Sequence, residues 1–250
     1  MRIYHTPELF SSLPAYKAGI TYANRGAINI NGSIPGLNLG DNTGVPESEI
    51  QENFNKLSDE SGLIKQNLAL AEQVHGCEVE IVTSPGFYEN VDGFVTSEEN
   101  LAIAVKVADC AAVLLVDRST NIHAVVHAGW RGAAANILPN AISKMKSLGA
   151  DMSETVAYIS PCISLQHFEV GEEVASQFDS TFINRSIGKK PHLDLKSFLY
   201  HQLLGEGVHQ ENIEADPRCT IEDSRFYSYR RERQQAGRML AFIMYSQNKI

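Results

Sequence analysis

Two neighbouring stretches, 108–117 (ADCAAVLLVD) and 122–132 (IHAVVHAGWRG), give the clearest indication of the fold of this chain. Each contains a short apolar run rich in Val and Ala, bounded by turn-forming or charged residues. Runs of this length and composition predict β-strands rather than helices. We therefore predict strands at 112–117 and 122–127, with polar residues gathered where each strand begins or ends.

Strands and helices are mixed along the rest of the chain. Further strands are predicted at 67–74, 77–83, 101–107, 156–160 and 238–245, and helices at 46–60, 132–148, 170–178 and 193–204. The two kinds of element do not alternate strictly, which favours an α/β (α+β) domain with a mixed sheet over a doubly wound unit. No GxGxxG or Walker-type loop follows any of these strands. No repeat or linker divides the chain, so we expect a single domain over residues 1–250.

One segment, 31–44, is dense in Gly and Asn and predicts a loop whose backbone can approach a ligand closely. The net charge of −9, from 21 basic and 30 acidic residues, argues against nucleic acid or an anionic membrane as the main partner. No stretch approaches the roughly 20 apolar residues of a membrane span. The opening MRIYHTPELF does not read as a secretory signal, so we expect a cytoplasmic protein.

Three residues, each at or just past the carboxyl end of an apolar strand, are candidate metal ligands: His75, Cys110 and His127. Ligands collect at strand ends because the loops there are free to carry polar groups. Two His and one Cys form a known catalytic zinc set, which leaves a fourth position for water or substrate. Their separations of 35 and 17 residues match no compact zinc signature, so hydrogen-bonded or core roles stay open. Strand alternation also leaves Cys77 and His123 as competing ligands.

The four cysteines, at positions 77, 110, 162 and 219, are scattered and suit free thiols, metal binding or catalysis better than disulfides. The residues therefore permit a second interpretation without a metal. In it, Cys110 is a nucleophilic thiolate with His75 or His127 as its base, and the protein is a cysteine hydrolase.

The motifs EQVHG at 72–76, ADC at 108–110 and HAGWRG at 127–132 together resemble the YfiH/YlmD family. Segments similar to the family also occur in the same order at 36–40 (GLNLG), 91–96 (VDGFVT), 160–163 (SPCI), 168–171 (FEVG), 226–231 (FYSYRR) and 237–240 (GRML). The resemblance implies one domain with mixed β-sheets packed between helices. It also implies that His75, Cys110 and His127 bind Zn²⁺, with copper the less favoured metal.

The activity implied by the resemblance is phosphorolysis of adenosine, inosine, guanosine and methylthioadenosine, with deamination of adenosine as a further reaction. The partners would then be a purine nucleoside and phosphate, and the protein a monomer or homodimer. The family was formerly described as a copper-dependent phenol oxidase. That function is the weakest of the three because no HxH pair occurs among the eight His residues.

Three further residues are candidates for catalysis. Asp109, next to Cys110, could shuttle protons during deamination, or it could cap a helix or orient a His. Arg131, just after His127, could clamp phosphate through its guanidinium at a helix start, or form a structural ion pair. Asn38 could hydrogen-bond ribose or base, or serve only as a turn residue.

Overall fold

A central hairpin joins strands β8 (Ala111–Asp117) and β9 (His123–Ala128), with Val113 opposite Val126. The computed structural model describes residues 2–25, 36–41 and 43–247. Along β8, Ala112, Leu114 and Val116 enter one hydrophobic core and the residues between them enter another. Both faces of the strand are buried, which explains why its sequence is apolar without alternation.

The hairpin belongs to a six-stranded mixed sheet in the order β13–β10–β8–β9–β6–β4. The other members are β4 (Val79–Ile81), β6 (Gly93–Thr96), β10 (Thr155–Ile159) and β13 (Ile213–Ala215). The two outer pairs, β13–β10 and β6–β4, are parallel, and the inner pairs are antiparallel.

A second six-stranded sheet packs against the first, in the order β1–β2–β14–β7–β3–β5. Its strands are β1 (Tyr4–His5), β2 (Tyr16–Thr21), β3 (Leu68–Ala71), β5 (Gly86–Tyr88), β7 (Ala102–Val107) and β14 (Met239–Tyr245). Strand β3 pairs in parallel with β7 and β5, and the other paired strands of this sheet in the described residues are antiparallel. Ile103 and Phe242 share a core with Leu114 of the first sheet. Strands β11 (Ile183–Asn184) and β12 (His192–Leu193) form a separate pair.

Helices complete the two cores. The longest, α2 (Glu47–Ser61), adds Ile50, Phe54 and Leu57 to the core shared by the sheets. Helices α4 (Ile137–Ser147) and α6 (Leu195–Gly205) cover the other face of the first sheet. The shorter helices are α1 (Glu8–Ser11), α3 (Trp130–Ala134), α5 (Glu172–Ala175) and α7 (Tyr229–Glu232), and 3-10 turns lie at Lys65–Asn67, Ser180–Phe182, Gln210–Asn212 and Arg233–Gln235. The predicted α/β (α+β) class with mixed sheets and helices is confirmed.

Several element boundaries differ from the predictions. The helix predicted at 132–148 is two helices, because Asn136 adopts a left-handed conformation with φ 63° between α3 and α4. The helix predicted at 170–178 is reduced to α5. The strand predicted at 67–74 ends at Ala71, before a loop in which His75 has φ 60°. Residues 31–35 and 42 of the predicted glycine-rich loop lie outside the described residues.

No helix in the described part of the chain combines the length and the apolar character needed to cross a membrane.

Candidate metal centre

The loop that carries His75 is shaped by the buried carboxylate of Asp92. Backbone N–H groups of Val74, His75 and Gly76 donate to it at 3.1, 3.0 and 2.7 Å. Three donors on one carboxylate hold His75 in its left-handed conformation, which a non-glycine residue seldom adopts without such support. Asp92 thus presents the His75 imidazole beyond the end of β3.

Asp92 also orients the imidazole of His127, near the end of β9. Nδ1 of His127 lies 2.7 Å from Oδ1 of Asp92, and the His127 backbone N–H donates to the Asp92 carbonyl at 2.7 Å. Burial opposes ionisation of Asp92, but the bond from His127 and the backbone N–H groups outweigh it and lower the pKa of the carboxyl. The ionised carboxylate fixes the proton on Nδ1, which leaves Nε2 available to bind a metal.

The third side chain, Cys110, follows a tight turn between β7 and β8, where Asp109 has φ 87°. The rings of His75 and His127 lie 4.8 Å apart, edge to face. The donor atoms of His75, Cys110 and His127 all lie within 4.8 Å of one another. Gly129 makes this approach possible, because a Cβ there would lie 3.0 Å from Cys110 Sγ and 3.3 Å from His75 Cδ2.

The electrostatics favour a thiolate at Cys110. Burial alone would raise the pKa of this thiol, but the charge and hydrogen bonds of His127, helped by His75, lower it to about 6. The pKa of His127 is raised in turn, because Cys110 and Asp92 outweigh the burial of the ring. Thiolate is the form of cysteine that binds metals. Two imidazoles and one thiolate fit Zn²⁺, a borderline-soft ion that favours N and S ligands in tetrahedral sites.

The competing ligands lie elsewhere. Cys77 packs against the core beneath the helices. His123 is fully buried, and its Nδ1 lies 2.8 Å from the carbonyl of Asn121. The described residues contain one more possible ligand group, made of His167, Cys219 and Glu222. In that group His167 Nε2 and Glu222 Oε1 lie 2.8 Å apart, within hydrogen-bond distance, and no member lines the cavity described next.

All three candidate ligands open onto one cavity of about 940 Å³. Its size lies within the range of small-molecule sites. Besides His75, Cys110 and His127, its lining consists of Gly40, Asp41, Thr43, Lys65, Gln66, Leu68, Leu70, Ala71, Glu72, Gln73, Pro85, Gly86, Phe87, Lys106, Ala108, Tyr229 and Arg238. The wall therefore combines cations, acids, apolar surface and the aromatic rings of Phe87 and Tyr229.

Asp109 and Arg131 do not line this cavity. The Asp109 carboxylate accepts the Thr220 hydroxyl at 2.6 Å and the backbone N–H of Arg230 at 2.6 Å, so it ties two loops together. Arg131 is exposed, and its guanidinium carbon lies 4.5 Å from the ring centroid of Trp130. Neither residue has a contact that assigns it a catalytic role, and both roles stay predictions.

Asn38 is fully buried behind the cavity wall. Its Oδ1 accepts the backbone N–H groups of Gly40 at 3.1 Å and Arg238 at 2.8 Å, and its Nδ2 donates to the Thr43 hydroxyl at 2.7 Å. Three of its neighbours, Gly40, Thr43 and Arg238, line the cavity. Asn38 therefore shapes this part of the wall, and direct contact with a ligand stays a prediction.

Asp92 is the functional residue that sequence reasoning missed. Nothing in VDGFVT distinguishes its carboxylate from that of any strand-entry aspartate. A weak signal was available, because the side chain that orients a metal-binding His is commonly a carboxylate. The choice among the acidic residues depends on contacts between distant segments.

Comparison with known proteins finds relatives over most of the chain. Residues 18–246 match the family model described as multi-copper polyphenol oxidoreductase laccase. A purine nucleoside phosphorylase from Corynebacterium glutamicum is 37% identical over 78% of this chain and 82% of its own length. A purine nucleoside phosphorylase from Deinococcus radiodurans is 35% identical over 85% of this chain and 83% of its own length. An adenosine deaminase from an unknown prokaryotic organism is 29% identical over 88% and 90%.

Two solved structures share the fold. YlmD from Geobacillus stearothermophilus has a TM-score of 0.88 and 26% identity, and the match covers 99% of this chain and 100% of that one. YfiH from Bacillus licheniformis has a TM-score of 0.86 and 25% identity, with coverage of 95% and 94%. The chain therefore belongs to the YfiH/YlmD family, the family whose model is described as multi-copper polyphenol oxidoreductase laccase.

Proposed function

We propose that this chain is a zinc-dependent purine nucleoside phosphorylase, active on adenosine, inosine, guanosine and methylthioadenosine, that also deaminates adenosine. The observation that carries the proposal is the convergence of His75, Cys110 and His127 on the wall of a cavity of about 940 Å³. The names of the relatives support it, since they include purine nucleoside phosphorylases and an adenosine deaminase. In this proposal residues 1–250 act as one catalytic domain, and the cytoplasmic location and the monomeric or homodimeric state stay predictions.

Zinc would be held by the two imidazoles and the thiolate, with Asp92 behind them. When bound there, it supplies Lewis acidity, which polarises a substrate and makes water a stronger nucleophile near neutral pH. Copper is the less favoured metal, because a multicopper oxidase site needs many His residues in HxH pairs and the sequence contains no such pair.

Phosphorolysis forms a bond between a phosphate oxygen and the C1′ carbon of the ribose. The bond from C1′ to the purine nitrogen breaks, and the purine leaves with the electron pair and takes up a proton. The cavity keeps nucleoside and phosphate together, which removes most of the entropic barrier to their reaction. Phe87, 60% exposed on the cavity wall, offers a flat apolar surface to the purine.

Deamination replaces the purine amino group with oxygen from water and releases ammonia, so it needs a proton shuttle. Asp109 remains the predicted shuttle. To act, its carboxylate has to leave the Thr220 hydroxyl and the Arg230 backbone N–H that it accepts in this structure.

A metal-independent cysteine hydrolase is the second candidate function. The observation in its favour is the lowered pKa of Cys110 beside the raised pKa of His127, which together describe a thiolate and an imidazolium. A metal-binding thiolate has the same lowered pKa, so these pKa values do not separate the two functions, and the dependence of activity on the metal does.

The test is to incubate metal-quantified protein with adenosine, with and without phosphate, and to identify the products. Adenine and ribose 1-phosphate formed only with phosphate support phosphorolysis, and inosine supports deamination. If zinc-loaded protein forms neither adenine nor inosine, the proposal is wrong. Loss of activity in Cys110→Ser at full zinc occupancy would favour the cysteine hydrolase.

A further inference from the structure

Three cationic side chains, Lys65, Lys106 and Arg238, line the same cavity as the candidate metal ligands. They stand out in a chain whose net charge is −9. We propose that Arg238 and Lys106 together form a binding site for inorganic phosphate within this cavity. The inference rests on the proposed function, which it deepens by naming the residues that hold the second substrate.

Arg238 is the stronger of the two anchors. Its Nη1 donates to the carbonyls of Ala236 at 2.6 Å and Gly237 at 3.1 Å, and its guanidinium lies over the Tyr229 ring at 5.9 Å. Among the described residues, no carboxylate forms an ion pair with it. A partly buried guanidinium has five N–H donors and is costly to leave without a counter-charge. The unused donors can bind an oxyanion in a bidentate fashion.

The backbone on both sides of Arg238 fixes where its side chain begins. Its N–H donates to the side chain of Asn38 at 2.8 Å, and its carbonyl accepts the N–H of Leu39 at 3.0 Å. Gly40 packs on the side-chain stem, because a Cβ at Gly40 would lie 2.5 Å from Arg238 Cγ. Asn38 is thus a positioning residue for Arg238.

Lys106 is the second anchor, with 12% of its side chain exposed. The side-chain amide of Gln73 holds its backbone in both directions, accepting the Lys106 N–H at 2.7 Å and donating to its carbonyl at 2.8 Å. The ammonium pairs with Asp41, whose side chain is 50% exposed. Because the partner is half in water, an entering phosphate can take over the ammonium while Asp41 becomes hydrated.

The sheet brings the two anchors to one place. Lys106 of β7 is directly opposite Leu240 of β14, and Arg238 lies two residues before Leu240. Arg238 immediately precedes β14, the neighbour of β7 in the sheet, and its side chain lines the same cavity as that of Lys106. Two long cationic side chains on one cavity wall can bind one phosphate between them.

The cavity also carries the carboxylates of Asp41 and Glu72, so it is not uniformly positive. This mixture predicts weak binding, in the range suited to an abundant small anion. It also allows a variant that should change phosphate affinity in the opposite direction. Removal of the Asp41 charge frees the Lys106 ammonium and should strengthen phosphate binding, an effect that general damage to the fold does not produce.

The test is calorimetric titration of inorganic phosphate into the full-length, metal-quantified protein. We expect Arg238→Gln and Lys106→Gln each to raise the Kd at least tenfold, and Asp41→Asn to lower it severalfold. Arg185→Gln is the matched control, because Arg185 is exposed and paired with Glu172, and neither residue lines the cavity. Circular dichroism and melting temperatures check that each variant folds. If Arg238→Gln fails to fold, Lys106→Gln and Asp41→Asn still decide the result.

An unchanged Kd in both Gln variants would overturn the proposal, as would phosphate affinity that depends on metal content alone. The same chemistry suits the 5′-phosphate of a nucleotide, so AMP is titrated in parallel. Binding of AMP without binding of inorganic phosphate would also overturn it.

Activity assays separate the two proposals. Phosphate binding that needs both cations, without phosphate-dependent adenine, contradicts only the proposed function. Adenine formation with an unchanged KM for phosphate in both Gln variants contradicts only the subsite.

Discussion

Asp92 Oδ1 lies 2.7 Å from Nδ1 of His127 and also accepts the backbone N–H of His75 at 3.0 Å. One buried oxygen therefore connects two candidate ligands, one in the loop after β3 and one in β9. A change at Asp92 should disturb both ligands at once, although Asp92 itself is not a member of the ligand group.

Asp92→Asn should weaken metal binding. The amide would place N–H against one or more of the backbone N–H groups that the carboxylate accepts, and it would no longer stabilise the proton on His127 Nδ1. Loss of such a partner costs about 10–100-fold in metal affinity. Competition with a zinc chelator measures it, and Asp59→Asn on the exposed side of α2 is the control. Zinc affinity equal to that of the parent would contradict the role given to Asp92.

Gly129→Ala should displace the Cys110 thiol. The new Cβ would lie 3.0 Å from Cys110 Sγ and 3.3 Å from His75 Cδ2, tighter than side chains normally pack. We expect a drop of about tenfold in zinc affinity, comparable with other changes next to ligands. Gly205→Ala is the matched control because a Cβ there meets nothing within 4 Å. Equal zinc affinity in the two variants would show that the space at Gly129 is not needed.

The free energy of unfolding should fall at acid pH because of His123. Burial lowers the pKa of this ring to about 4, from 6.5 in the unfolded chain. Between these values the unfolded chain binds the proton and the folded one does not, so the free energy of unfolding falls as the pH drops from 6.5 to 4. The whole loss is about 3 kcal/mol for this group.

His123→Phe removes that titration and keeps a ring beside Tyr16, whose centroid lies 5.8 Å from that of His123. Urea unfolding of both proteins at pH 7 and pH 4.5 measures the difference. We expect the variant to lose less stability than the parent over this interval, even if it is less stable at pH 7. If the free energy of unfolding fell equally in parent and variant, His123 would not be the cause of the loss of stability in acid.

Phe87→Ala should raise the KM for nucleosides if the purine stacks on this ring. Stacking of a base on an aromatic side chain contributes about 1–3 kcal/mol, so the expected increase is roughly 5- to 150-fold. Phe87→Trp should restore most of the affinity, and Ile64→Ala, an exposed apolar residue outside the cavity lining, serves as control. Steady-state kinetics with adenosine at saturating phosphate provide the comparison, and an unchanged KM in Phe87→Ala would place the purine elsewhere.

Local sequence patterns predict many of the strands and helices. The β8–β9 hairpin was predictable because burial on both faces leaves an apolar run with a clear beginning and end. The break between α3 and α4 was not, because the left-handed Asn136 interrupts an otherwise continuous helical pattern. A single residue in that conformation leaves no mark on hydrophobic periodicity.

The candidate site, too, contains residues that the sequence predicts and residues that it does not. The sequence singled out His75, Cys110 and His127, and the structure places their donor atoms within 4.8 Å. Asp92 and Arg238 could not be selected from the residues alone. Their significance comes from the pairing of strands distant in sequence and from the carboxylate partner that Arg238 lacks among the described residues.

We propose that phosphorolysis depends on zinc held by His75, Cys110 and His127. The most direct measurement is titration of zinc into chelator-treated protein, with adenosine and phosphate present and adenine release recorded. We expect adenine release to rise with zinc and to reach a plateau at one zinc per chain, and we expect Cys110→Ser to lose zinc binding and adenine release together. Full adenine release before zinc is added, or none at any zinc concentration, would contradict it.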